Sequence, residues 1–420
     1  MIPIVPPVSG CFRPILASNN RWMVVAAAVL AMAAPAAAAT LQQRLLTLDS
    51  HLDTPASLAK PGWKIEDRHA YAQDYSQVDL PRMKSGGLDG GFWAIFTPQG
   101  PLDDAGFAHA RDYALLRGMA IREMTAADPR NFALAVNAAD APAIAAQGRR
   151  VVYMSIENAY PLGHDISLLE TFHAMGVRLL GFAHFTNNQF ADSSTDPAGP
   201  KWGGLSPEGK ALLAEANRLG VVLDASHSSD AVFDDFLRLS KSPFILSHSG
   251  CKAVFDHPRN IDDDRLRKLA AAGGVIQINS LGAYLRKLNN DPERGKALDA
   301  LARRSEGTPL GVGSYRALLA ERHAIDIAHP AERASFDDFM AHLLHALKVA
   351  GVDHVGIGLD WDGGGGVVGL EDVTGLPKIS AALIKAGYGE ADLQKIWSGN
   401  LLRVMAAAQA EGARERGEAP

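Results

Sequence analysis

The chain has 420 residues, 47% hydrophobic and 21% charged, a globular composition with length for one large domain or two to three small ones. Lys plus Arg number 41 against 47 Asp plus Glu; the net charge of -6 argues against a sequence-independent nucleic-acid binder, which needs a basic excess. Two cysteines, Cys11 and Cys251, exclude a disulfide framework and a cysteine-based zinc cluster, while 14 histidines point any metal site towards imidazole and carboxylate ligands.

At the N-terminus, Arg13 and Arg21 precede an apolar run, Trp22–Ala34, and small residues follow from Pro35 to Ala39. This is the pattern of a secretory signal peptide over residues 1–39, with Ala37-Ala38-Ala39 placing cleavage before Thr40. An uncleaved anchor is the alternative, since Trp22–Ala39 nearly reaches spanning length. Cleavage removes Cys11, leaves no stable membrane anchor and gives an exported protein, periplasmic or secreted. From residue 40 to 408, short apolar runs alternate with amphipathic stretches. Strands are expected at Leu46–Asp49, Gly91–Phe96, Val151–Ile156, Val177–Ala183, Val221–Ala225, Phe244–Ser247, Val275–Asn279 and His354–Leu359. Between them, Pro207–Leu219 has a helix start at Ser206-Pro207 and a stop at Gly220, and Asp262–Ala272 shows the same apolar spacing. Eight strands alternating with helices predict an α/β fold, a (β/α)8 barrel in one domain, with a doubly wound sheet as runner-up. Leu281–Ser335 is longer than a connection needs and reads as a helical insertion after strand seven, of the kind that can cover an active site. Residues 409–420 read as a polar, frayed tail.

Polar residues gather at the strand ends. Strand one ends in His51-Leu52-Asp53, strand three in Glu157, strand four in His184, strand five in His227, strand six in His248 and strand eight in Asp360. In a barrel these ends converge on one mouth. His51 and Asp53 share a strand face and can bind one cation together. Imidazole plus carboxylate suits Zn2+ and admits Mn2+ or Co2+. His227 and His248 can hold a second ion, with Glu157 bridging at the roughly 3.5–4 Å spacing of two-metal hydrolytic sites. Water acidified there attacks a carbonyl, and Asp360 is placed to take its proton and pass it to a leaving amine. A lone strand-end histidine is more often a hydrogen-bonding residue than a ligand, so the signal lies in the constellation. His342 and His345, three apart in an apolar helix stretch, are left out. Cys251 lacks an activating base and reads as structural. Gly363–Gly366 lacks the Gly-Lys-Ser/Thr of a phosphate cradle and reads as a flexible loop over the mouth.

Long ordered motifs surround these residues: DSHLDTP at Asp49–Pro55, SIEN at Ser155–Asn158, GVRLLGFAHFTNNQFADSS at Gly176–Ser194 and GLSPEGKALLAEANRLGVVLDASHSS at Gly204–Ser229. PFILSHSGCKAVFDHPRNIDDD at Pro243–Asp264, HVGIGLDWDG at His354–Gly363, GLEDV at Gly369–Val373 and GNLLRVM at Gly399–Met405 complete them. Through these stretches, nearly the whole mature chain resembles the membrane (renal) dipeptidase family, peptidase family M19. The resemblance implies a zinc-dependent dipeptidase on a (β/α)8 TIM barrel of the metal-dependent amidohydrolase type. It implies His51 and Asp53 as ligands of one zinc, Glu157 as the bridge, and His227 and His248 as ligands of the second. By the same resemblance His184 binds substrate and steadies the tetrahedral intermediate, Asp360 is the acid/base, and Arg259 holds the substrate's terminal carboxylate with its forked donors. Asn158 stands where the family pattern has a small residue, and a changed pocket shape is expected from it. Family members cleave dipeptides, often with a D-residue on the C-terminal side, and often form dimers, so a homodimer is among the expectations. The competing readings are another binuclear amidohydrolase, such as a lactonase or deaminase, which needs no carboxylate clamp, and a non-catalytic binding protein on the same fold.

Overall fold

Among the described residues ten short strands, every pair parallel, organise the protein: β1 (Leu48–Leu52), β2 (Gly90–Phe96), β3 (Phe132–Leu134), β4 (Arg150–Glu157), β5 (Val177–Gly181), β6 (Val222–Asp224), β7 (Ile245–Cys251), β8 (Asn260–Ile261), β9 (Val275–Ile278) and β10 (Val355–Ile357). The computed structural model describes residues 40–289, 291–305 and 311–418. The expected signal peptide lies outside them. Eight strands run in the order β1-β2-β4-β5-β6-β7-β9-β10, with β3 and β8 pairing outside this path to β4 and β7. Leu52 bridges Trp361 in parallel and the Asp53 N–H donates to the Trp361 carbonyl at 2.9 Å, so the end of β10 returns to β1. The result is a nearly closed eight-stranded parallel barrel wrapped by helices, as the alternating pattern predicts.

All five residues of β1 and seven of the eight in β4 are buried, because helices cover the outer face while side chains fill the inner one. Period two divides β4: Val152, Met154 and Ile156 join the large core beneath the helices, whereas Val151 and Tyr153 join a second cluster with Leu48, Phe92, Leu179, Val222, Ile245 and Val275. Ser155 and Glu157 continue that second face, which carries Glu157 to the opposite end from the apolar plug. Leu401, Val404, Met405 and Ala408 of the helix Asn400–Glu415 close the plug.

The helix Pro207–Leu219 begins and ends where its sequence signals put it. Ser206 accepts from the Gly209 N–H at 2.9 Å, and Gly220 stops the helix in the left-handed region at φ 73°. Asp262 caps the helix Asp263–Ala271 through the Arg265 N–H. The C-terminus differs from expectation: the last helix continues to Glu415, through the residues read as a frayed tail. Gly412 lets it lie directly on Gly220, since a Cβ there would stand 2.5 Å from the Gly220 nitrogen. The insertion after β9 is helical, with helices Gly282–Leu285, Pro292–Ser305 and Val312–Ala328. Arg294 pairs with Asp326 at 2.6 Å to hold the two longer helices together, and Arg322 sits over the Tyr75 ring of the segment after β1. Among the described residues no helix is long and apolar enough to cross a membrane.

Candidate metal centre

Residues that end separate strands meet at the mouth of the barrel. Glu157 is the hub. Its Oε2 stands 3.3 Å from His51 Nε2, while its Oε1 stands 3.3 Å from His227 Nε2 and 3.6 Å from both His248 Nε2 and His184 Nε2. His51 Nε2 is also 3.3 Å from Asp53 Oδ2, and Asp360 joins His51 and Asp53 in a third tight group of ligand-type atoms. The structure therefore brings together His51, Asp53, Glu157, His184, His227, His248 and Asp360. Arg259 lies beside them: its Nη2 donates to the His248 carbonyl at 3.0 Å, its guanidinium stands over Tyr284, and its buried Nε has no partner.

The backbone is bent out of its usual range to achieve this. Among the described residues, five non-glycine residues have positive φ, and four of them, Asn158, His227, Asp360 and Asp362, stand at strand ends around the site. Asn158 fits that conformation because its short amide bonds locally. Its Oδ1 accepts from Tyr160 N–H and from Asn188 Nδ2, and its Nδ2 donates to Gln99. It does not line the cavity, so the expected change of pocket shape is not where its side chain acts. Gly363–Gly366 is no free loop either. Gly363 packs so closely that a Cβ would meet Asp53 Oδ2 at 2.0 Å and Asp360 Oδ1 at 2.3 Å, while the Gly365 and Gly366 N–H groups donate to Asp360 and Ser280.

Several residues around the centre escape the sequence reading. Asp224, at the end of β6, accepts the Ser226 and Ser247 N–H groups on Oδ1, and its Oδ2 takes the Ser247 hydroxyl proton. Ser247 Oγ is then left to accept from His248 Nδ1 at 2.8 Å. That assigns the proton of His248 to Nδ1 and leaves Nε2 bare towards Glu157. Asp49 closes the seam below, accepting from the His51 and Leu359 N–H groups. Burial pushes its carboxyl up to about 7, against those two N–H donors. The available signal for both aspartates was an acid inside an apolar strand run, where a carboxylate survives only with partners. His342 and Cys251 are structural as expected. His342 Nδ1 accepts from the Cys251 N–H and its Nε2 meets the Leu285 carbonyl, and burial pushes the Cys251 thiol up to about 12.

The electrostatics ask for a cation. Burial and the nearby carboxylates of Asp53 and Glu157 push Asp360 well above the carboxylate range, with His51 opposing. Burial opposes charge on His51, yet Glu157 and Asp53 hold its pKa well above the usual value. Burial and Arg259 keep His227 neutral; burial, His51 and Arg259 do the same for His248. The donor set fits a divalent metal. His51 Nε2 is buried without a hydrogen-bond partner between two carboxylates, and the His227 and His248 Nε2 atoms face each other at 2.9 Å, so a proton or a cation must lie between them.

Above the centre lies a cavity of about 340 Å³, walled by Ala56, Phe96, Phe185, Leu281 and Tyr284. Leu281 and Tyr284 bring the start of the insertion to its edge.

Known proteins share this arrangement of chain. The family model "Membrane dipeptidase (Peptidase family M19)" matches residues 36–418. Dipeptidase tcpJ of Claviceps purpurea (strain 20.1) is 30% identical over 365 residues, 85% of this chain and 76% of that protein. The crystal structure of the probable dipeptidase PvdM from Pseudomonas aeruginosa superposes with a TM-score of 0.75 at 31% identity, over 88% of this chain and 97% of that one. A metallopeptidase from Rhodobacter sphaeroides, liganded with a phosphinate mimic of the dipeptide L-Ala-D-Ala, gives a TM-score of 0.68 at 26% identity, over 87% and 99%. A match along almost the entire described chain places this protein in the membrane dipeptidase family, peptidase family M19, as a metallo-dipeptidase.

Proposed function

We propose that this metallo-dipeptidase works with two divalent ions, zinc first among them, and cleaves dipeptides that include those with a C-terminal D-residue. The observation that carries the two-ion reading is the split of Glu157: one oxygen faces His51 and the other faces His227 and His248. His51 and Asp53 would hold one ion, His227 and His248 the other, with Glu157 between them. Divalent ions in such a site polarise a carbonyl and make water a nucleophile at neutral pH. Asp360, grouped with His51 and Asp53, takes the proton of the attacking water and returns it to the leaving amine. His184 Nε2, at the cavity wall, donates to the oxyanion as it develops. Arg259, with an unpartnered Nε, binds the substrate's terminal carboxylate, and a clamp so close to the centre restricts cleavage to short peptides. The D-residue reading is supported by the dipeptide mimic named for the Rhodobacter sphaeroides relative. The N-terminal basic, apolar and small-residue pattern supports work outside the cytoplasm, and an exported product beginning at Thr40 is the expected result of N-terminal sequencing.

Metal-stripped protein titrated with Zn2+ tests the centre on L-L, L-D and D-L dipeptides, a tripeptide and an amidated dipeptide. Activity should saturate near two equivalents and spare the tripeptide and the amide. Saturation at one equivalent would remove the second ion, and equal cleavage of the amide would remove the Arg259 clamp.

A further inference from the structure

The walls above the metal centre are unlike its floor. Every acid or imidazole on the floor has a role already: Asp53, Glu157 and His227 as ligands, His184 and Asp360 at the reacting bond. Asp362 also reaches the cavity, but both its oxygens are engaged, Oδ2 by the Thr54 hydroxyl and Oδ1 by the Gln77 N–H, each at 2.6 Å. What remains to meet a substrate side chain is Ala56, Phe96, Phe185, Leu281 and Tyr284, with no free charge among them. Phe185 stands out. A phenyl ring normally leaves water, yet this one is 51% exposed, on the cavity wall, with its centroid 4.0 Å from the His184 ring and 5.4 Å from that of His227. Phe96 flanks His184 at 4.8 Å.

The backbone beneath this ring is fixed. Ser193 Oγ donates to the His184 carbonyl and Thr195 Oγ1 to the Phe185 carbonyl at 3.1 Å. An aromatic held on a pinned backbone at a cavity mouth offers a preformed apolar contact at small entropic cost. We infer that Phe185, with Phe96, is a specificity-determining residue that selects dipeptides bearing a bulky apolar side chain. The inference rests on the dipeptide reading of this site and adds the side-chain class to it.

The test measures kcat/KM of the metal-loaded protein on Ala-Ala and on two series, X-Ala and Ala-X, with X as Leu, Phe, Lys or Glu. The wild type should cleave the Leu and Phe members of at least one series about ten-fold better than the Lys and Glu members. Phe185→Ala should lose about ten-fold on those apolar members and under about three-fold on Ala-Ala, with Phe185→Leu in between. Equal losses on large and small substrates, or a wild type indifferent to X, would overturn the assignment. Because Phe185 is half in solvent, its truncation should leave the melting temperature unchanged, which separates recognition from folding. Calorimetric affinities for phosphinate dipeptide mimics with methyl or benzyl side chains give a second arm. A protein that binds the benzyl mimic more tightly through Phe185, yet hydrolyses no dipeptide, would fail the reaction reading and keep the wall; equal affinities would remove the wall alone.

Discussion

Asp224 lies away from the cavity lining, yet it decides which nitrogen of His248 carries the proton, because its Oδ2 takes the Ser247 hydroxyl proton and leaves Ser247 Oγ to accept from Nδ1. Asp224→Asn presents an amide whose NH2 can donate to Ser247, reversing the relay and favouring a proton on His248 Nε2 where a ligand lone pair is needed. The expected result is a metal affinity about 10–100-fold weaker, read by chelator competition on the folded variant. An affinity equal to wild type would show that the relay does not set the tautomer. The ligand-type residues themselves were legible because each is a His, Asp or Glu at the end of an apolar run, and only a barrel brings such ends together. Asp224, Ser247 and Phe185 were not. A serine beside a histidine carries no pattern, and the exposure of a phenylalanine is decided by the path of the loop after β5 rather than by its neighbours in sequence.

At the scale of elements, all eight barrel strands were readable as apolar runs, with ends displaced by a few residues. The two extra strands, β3 and β8, have only three and two residues, too short to show a period. They pair to stretches of β4 and β7 that the barrel partners leave uncovered: Arg150–Val152, before pairing with β5 begins at Met154, and Gly250–Cys251, beyond the last β9 pair at Ser249. The joint between β10 and β1 was also invisible, since it depends on a buried carboxylate. Asp49 of β1 accepts the Leu359 N–H just beyond β10 and the His51 N–H within its own strand. Removing it with Asp49→Ala leaves two buried N–H groups without acceptors, and a loss of about 2 kcal/mol is expected. Asp49→Asn keeps one carbonyl oxygen and should lose less. Denaturant unfolding of the metal-free variants checks the order; equal stability of all three proteins would mean that the Leu52–Trp361 bridge alone closes the seam.

For the molecule as a whole, the metal centre couples stability to pH with a sign that can be worked out. His227 and His248 have folded-state pKa values pushed well below the usual histidine value, by burial first and by neighbouring cations next. For them the unfolded chain takes up protons first, so stability is lost as pH falls through about 6.5. His51 has the opposite sign. Its folded pKa is raised by Glu157 and Asp53 despite burial, so in the metal-free protein its contribution is fully present below about 6.5 and is lost as pH rises through the folded value. In metal-free protein the two windows lie on opposite sides of about 6.5: in acid the His51 contribution is level while those of His227 and His248 are lost. An ion held by His51, His227 and His248 would require all three imidazoles neutral, so each of them would compete with a proton. Metal binding raises stability by RT ln(1 + [L]/Kd), and this increment shrinks as Kd rises in acid. Differential scanning calorimetry of loaded and stripped protein at pH 7.5 and 5.5 should thus show a melting-temperature gap that is wide at the higher pH and narrow at the lower. A gap that stays constant or widens in acid would mean that the ion is not held by these three histidines.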